Sequence, residues 1–268
     1  MSERSEHLSR EIRKESLKMV SAAKASHIGG ALSMADLLAV LYEDILNLNP
    51  SNVNDKDRDR FLLSKGHACT GLYAVLALKE FFPMDELKNY SANDGLLLSH
   101  TSHKVNGVEL STGSLGHALP VSCGIALAAK RKNKSFRIYC LLSDGELDEG
   151  SNWEAILFAP QHKLYNLTVI IDYNKIQSFG SVKEVLDLHP LNKKFEAFNW
   201  NVIEINGHDH DEITGAFMKA SEHKEMPTVI IAHTIKGKGV SIMENELLWH
   251  YRPPSEQQLA EAIKEIDS

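Results

Sequence analysis

The feature that most constrains this chain is the alternation of short apolar runs with helical stretches through its second half. FRIYCLL (136–142), LTVIID (167–172), VIEI (202–205) and TVIIAH (228–233) are separated by helix-like segments at 152–165 and 212–223. Runs too apolar to alternate between core and solvent read as strands buried on both faces. The helices between them must then cover both sides of a sheet, which is how a doubly wound, mostly parallel α/β fold is built. An earlier run, FLLS (61–64), adds one more strand.

Upstream, residues 5–25 carry a loose helical spacing. Gly29-Gly30 is expected to break it, with Ser33 capping a second helix through about Leu46. Further helices are expected at Ala68–Glu80, at Met84–Asn89 behind Pro83, at Ala118–Lys130 and at Glu256–Ile266. The polar stretch 47–60 reads as a solvated connector. The 91–117 segment is long and unstructured, a length usually kept for function. No repeat or linker divides the chain, so 1–268 is expected to form one domain.

Composition removes several classes of function. With 29 Lys+Arg against 36 Asp+Glu the formal charge is −7, which supplies no basic footprint for nucleic acid. No apolar run approaches the roughly 20 residues that span a bilayer. The polar start lacks a signal segment, and Cys69, Cys123 and Cys140 show no CxxC spacing. A cytoplasmic protein with reduced core thiols is expected.

Ligands of such sheets bind outside the carboxyl ends of the strands. FRIYCLL runs into Ser143-Asp144-Gly145-Glu146, and LTVIID into Tyr173-Asn174-Lys175-Ile176. Two consecutive strand ends would bring the Asp144 carboxylate, the Asn174 amide oxygen and a backbone carbonyl near Ile176 around one point. Three oxygens leave open positions on a hard cation, Mg²⁺ or Ca²⁺, for diphosphate oxygens. Asp-Gly and Asn-Lys are also ordinary turn dipeptides; their joint placement favours the cation reading.

The segment SDGELDEGSNWEA…DYNKIQSFG resembles the thiamine-diphosphate fingerprint, in which an asparagine follows a GDG-like turn. KASHIGGALSMADLLAVLY, DRDRFLLSKGHACTGLYA, GVELSTGSLGHALP and HTIKGKGVSIMEN…WH are similar to transketolase segments in the same order, across nearly the whole chain. Ser143 departs from the first Gly of the motif, Tyr173 from an Asp or Asn, and His117-Ala118 from Gln-Gly. The resemblance implies thiamine diphosphate as cofactor, with Asp144, Asn174 and Ile176 as metal ligands and Gly145 beside them. It implies that His67 and His250 approach diphosphate and substrate, while His27 and His100 line the substrate channel. His103 is the alternative to His100. Gly113, Ser114 and Leu115 match the turn beside the aminopyrimidine, and Glu149 the acidic residue linking paired sites. His208 and His210 imitate a metal cluster, but Asp209 or Asp211 capping a helix explains GHDHDE better. Lys236-Gly-Lys238-Gly lacks P-loop spacing and reads as a flexible loop near the site.

Single-chain transketolases continue into a pyrimidine-binding domain, which carries the catalytic Glu, and a third domain. The resemblance therefore implies a split enzyme with a separate partner chain, two copies of each chain, and sugar or sugar-phosphate substrates. The family's chemistry is transfer of a two-carbon ketol from a ketose to an aldose. One half of another thiamine carboligase or 2-oxo-acid decarboxylating enzyme is the alternative. A non-catalytic binding protein of the same fold is the alternative from another class.

Overall fold

The computed structural model describes residues 2–268. Five parallel strands form one sheet in the order β1-β2-β3-β5-β4: β1 Arg60–Leu63, β2 Ile138–Ser143, β3 Leu167–Tyr173, β4 Asn201–Asn206 and β5 Thr228–His233. The side-chain period of two sorts each strand between two cores. Phe61, Leu63, Tyr139, Leu141, Ile170 and Ile230 face a core shared with α1 (Ser2–Ala23), α3 (Ala35–Val40), α4 (Cys69–Leu78) and α9 (His210–Glu222). Leu62, Ile138, Cys140, Leu142, Val169, Ile171, Val229 and Ile231 face the opposite core with α5 (Ala118–Arg131), α6 (Gly150–Gln161) and α8 (Leu191–Ala197). The apolar runs are continuous because both faces are covered, and the doubly wound class follows.

A third, smaller core bears on function. Leu17, Val20, Ile28, Ala31 and Leu32 pack on Val240, Met243, Trp249, Ala262 and Ile266. It ties α1 and α2 (Ile28–Ser33) to α10 (Glu256–Ile266), so the intervening 236–250 segment is held against the sheet's carboxyl edge. A capping box between Ser255 and Gln258 starts α10.

Two expectations need correction. Gly29 and Gly30 do not break a helix but lie inside α2, which Met34 separates from α3. Glycine is used there for close approach: a Cβ on Gly29 would stand 3.0 Å from Lys236 Cγ. α3 continues into a wider π turn at Leu41–Ile45, and the short helix expected at Met84–Asn89 is present behind Pro83, as a 3₁₀ helix. Ser33 caps no helix; its hydroxyl bonds the Gly30 carbonyl at 3.1 Å and Asp172 at 2.5 Å. Residues 91–117 contain no regular element, as expected, and α7 (Val182–Val185) is a single turn. No helix among the described residues is long and apolar enough to cross a membrane.

Candidate active site

β2 and β3 are neighbours with Ser143 opposite Asp172, so the Asp144 and Asn174 turns leave the sheet side by side. Asp144 is 1% exposed and accepts the N–H groups of Gly145 at 2.7 Å and Lys175 at 2.5 Å. Lys175 adopts φ 69, a left-handed conformation that folds the turn back onto that carboxylate. Asn174 donates Nδ2 to Asp172 at 3.4 Å and to Ser33 at 3.5 Å. That orients its Oδ1 away from Asp172; the oxygen accepts the Ile176 N–H at 3.2 Å.

These residues share a cavity of about 260 Å³ with His27, His67, His100, His250, Gly113, Leu115, Gly145, Lys65 and Lys236. All four histidines named from the sequence converge there. Ring centroids lie 5.2 Å apart for His27–His67, 4.8 Å for His27–His250, 5.7 Å for His67–His250 and 6.1 Å for His27–His100. His103 is exposed and bonds Ser111 instead, so His100 is the one on the wall. His27 stands at φ 73, and its N–H donates to the His250 carbonyl at 3.0 Å, which keeps the two rings together. Ser114 and Glu149 do not face the cavity. Both are exposed, and Glu149 packs instead against Gly116 (φ 82), where a Cβ would meet Ser151 Oγ at 2.5 Å and Glu149 Cβ at 2.8 Å.

Burial disfavours charge on the four imidazoles. It pushes His27 down to about 4, helped by the charges of His100 and Lys236. Burial and Lys236 push His250 to about 3, burial and Lys65 hold His67 well below its usual value, and burial lowers His100. A neutral imidazole both donates and accepts, which suits hydroxyl-bearing substrates near neutral pH.

The sequence reading missed four groups. Lys236 is 3% exposed, not part of a flexible loop: its Nζ donates to the Ile176 carbonyl at 2.9 Å and lies 3.3 Å from His250 Nδ1. Gly237 makes this possible at φ 81, where a Cβ would stand 2.2 Å from the Met243 carbonyl oxygen. Lys65, which lines the cavity, and Asp172 behind it, 1% and 0% exposed, form an ion pair. Lys65 also donates to the Gly30 carbonyl at 2.8 Å, and Thr234 donates to Asp172. Glu146 is fully buried, bonds Ser64 and takes the Gly116 N–H at 2.8 Å. Only a lysine or acid inside an apolar strand–turn context hinted at them. Ser143, the departure from the fingerprint, turns its hydroxyl to the Glu146 N–H at 3.3 Å.

The residues fit a metal-bound diphosphate on their own terms. Burial, with the nearby Asp172 charge, pushes the Asp144 carboxyl up to about 6. Burial pushes the Lys236 ammonium down to about 8. A cation beside Asp144 and an anion beside Lys236 would relieve both. A Cβ on Gly30 or Gly113 would stand in ordinary contact with groups of the site, Lys65 Nζ at 3.8 Å and His100 Cδ2 at 3.7 Å, so both glycines pack directly against the cavity's side chains. No group of three or more His, Cys, Asp or Glu among the described residues converges to hold a metal. One carboxylate with amide and carbonyl oxygens is a donor set for a hard cation.

The profile of the family described as "Transketolase, thiamine diphosphate binding domain" matches residues 5–266. The chain belongs to the transketolase family. It is 39% identical over 254 residues to an apulose-4-phosphate transketolase subunit of Phocaeicola vulgatus, covering 95% of this chain and 90% of that one. It is 38% identical to the 6-deoxy-6-sulfo-D-fructose transketolase subunit SqwG of a Clostridium strain, covering 98% and 96%. Human transketolase is 38% identical over 96% of this chain but only 41% of its own length. The crystal structure of Campylobacter jejuni transketolase superposes with a TM-score of 0.92 at 33% identity, covering 99% of this chain and 43% of that one. This transketolase-family chain thus spans nearly all of the relatives named as subunits and under half of those named simply as transketolase.

Proposed function

We propose that this chain is the thiamine-diphosphate-side subunit of a two-chain transketolase. Asp144, Asn174 and the Ile176 carbonyl hold Mg²⁺ or Ca²⁺, and Lys236 with His67 and His250 faces the diphosphate. The observation that carries this reading is the convergence of Asp144, Asn174 and Ile176 on one cavity walled by His27, His67, His100 and His250. Bound thiamine diphosphate supplies the thiazolium that serves as electron sink for breaking and making carbon–carbon bonds. The chain's own residues do the rest. His27 and His100 bind sugar hydroxyls, and low imidazole pKa values keep each ring able to hold or release a hydrogen bond without carrying charge. Because the chain matches relatives named as transketolase subunits nearly end to end, a second chain supplies the pyrimidine half and its catalytic Glu, with two copies of each. Relatives named for a sugar phosphate and a sulfo-sugar support an anionic ketose as donor. Three buried free thiols are in keeping with a cytoplasmic setting.

The test is calorimetric titration of thiamine diphosphate with and without Mg²⁺, then ketol transfer with and without the partner chain. Metal-dependent binding, with transfer only when the partner is present, is expected. Transfer by this chain alone overturns the split, and no metal-dependent binding even with the partner overturns the cofactor assignment.

A further inference from the structure

Lys236 reaches the cavity from a segment without regular structure, so something must fix its backbone. Thr234 bonds Asp172, and the Gly237 N–H donates to the Gly29 carbonyl at 3.0 Å. Between them the Ile235 N–H donates to Nε2 of His208 at 2.8 Å. His208 itself is not on the cavity wall. It sits in the turn after β4, where the Gly207 N–H donates to the His233 carbonyl at 2.9 Å and a Cβ on Gly207 would stand 2.5 Å from Thr234 Cγ2.

A backbone N–H can only donate, so Nε2 of His208 presents its lone pair and the ring proton sits on Nδ1. Nδ1 lies 2.7 Å from Asp36 Oδ2. Asp36 is anchored by Arg13 at 3.0 and 2.5 Å and by His210 Nε2 at 3.2 Å. The imidazole is thus held in one tautomer and orientation by a buried carboxylate on its far side. The His208 ring is not what caps α9: Asp209 does so through the Asp211 and Glu212 N–H groups at 3.0 Å each.

We infer that His208 is a positioning residue: it accepts the Ile235 N–H so that the next residue, Lys236, is aimed into the cofactor cavity, while Asp36 and Arg13 fix the ring. This rests on the cofactor reading above and adds the device that aims its lysine. Precision matters here because Lys236 Cγ passes 3.0 Å from where a Cβ on Gly29 would stand, so the side chain has one narrow route.

Two variants separate the ring's two bonds. His208→Gln keeps an acceptor at the Nε2 position, whereas His208→Asn keeps a donor to Asp36 and loses that acceptor. With Mg²⁺ and thiamine diphosphate as the probe on the full chain, His208→Asn is expected to weaken binding about tenfold, the worth of one hydrogen bond. His208→Gln should stay within about threefold, and in a Lys236→Ala background the Asn penalty should disappear. Amide hydrogen exchange at Ile235, read without cofactor, should quicken in His208→Asn and not in His208→Gln. Equal affinities for the two variants, an Asn penalty undiminished by Lys236→Ala, or unchanged Ile235 exchange would each overturn the inference. A wild-type chain that binds no metal-dependent cofactor, alone or with its partner, overturns the cofactor reading instead, a pattern distinct from wild-type binding that His208→Asn leaves intact.

Discussion

Asp36 and Asp144 are both buried carboxylates, 4% and 1% exposed, yet their surroundings are opposite. Burial alone would raise the Asp36 carboxyl, but Arg13, His208 and His210 hold it well below the usual range. Asp144 has two backbone N–H donors and no cationic side chain bonded to it, and burial with the Asp172 charge pushes it up to about 6. One acid has been given every partner it needs. The other has been left short, next to open space, which is how a fold keeps a place for a ligand.

That contrast can be broken by substitution, and Asp36→Ala should have the largest effect. It strands Arg13 in the interior, and loss of one partner of a buried pair costs about 3–5 kcal/mol. Urea unfolding at neutral pH measures it; a loss below about 1 kcal/mol would mean the cluster is not the structural anchor described.

Asp144→Asn should behave in the opposite way. The Asp144 carboxyl titrates at about 6 in the fold against a reference of 3.8, so the unfolded chain gives up its proton first as pH rises. Ligand-free protein should therefore lose roughly 3 kcal/mol between about pH 4 and 6, and no more above, a decline that the Asn variant should not show. Asp36 runs in reverse: its contribution is present above the unfolded carboxyl value and is lost as pH falls. Metal-dependent cofactor binding should fall roughly a hundredfold in Asp144→Asn. In the wild type it should weaken on acidification below about pH 6, where protons compete with metal. Unfolding curves and calorimetry across pH 4.5–7 check both; a pH-independent gap between the two proteins would contradict the assignment.

The smallest effect should come from Gly30→Ala. Its Cβ meets nothing nearer than 3.8 Å, and alanine in a helix is favoured by up to about 1 kcal/mol. The variant should melt no lower than the wild type while binding cofactor roughly tenfold more weakly, because the methyl enters the cavity. Wild-type affinity would show that this wall of α2 does not meet the ligand.

The parts of this molecule that local pattern encodes were readable. Short apolar runs announced the strands, and the two strand-end turns carried Asp144 and Asn174 to the same edge without further information. The histidines were placed by resemblance rather than by pattern, since no periodicity links His27 to His250. What stayed hidden depends on long-range packing. Lys236 and Lys65 are charged side chains that a single sequence assigns to solvent, and only contacts such as Lys65 with Asp172 or Lys236 with Ile176 explain their burial. The Gly29-Gly30 pair misled for the same reason: its first glycine answers to the side chain of Lys236, far along the chain, not to the local helix.

Cys69, Cys123 and Cys140 are all buried, and burial pushes the first two up to about 12 and Cys140 higher still. Natural thiols so poor in thiolate leave the surface silent to maleimides and spin labels. Phe179 is 83% exposed and follows Ser178, which lines the cavity, so Phe179→Cys would carry a single fluorophore at the mouth without removing any native cysteine. The protein thus arrives ready for a single probe that reports ligand arriving at the cavity mouth.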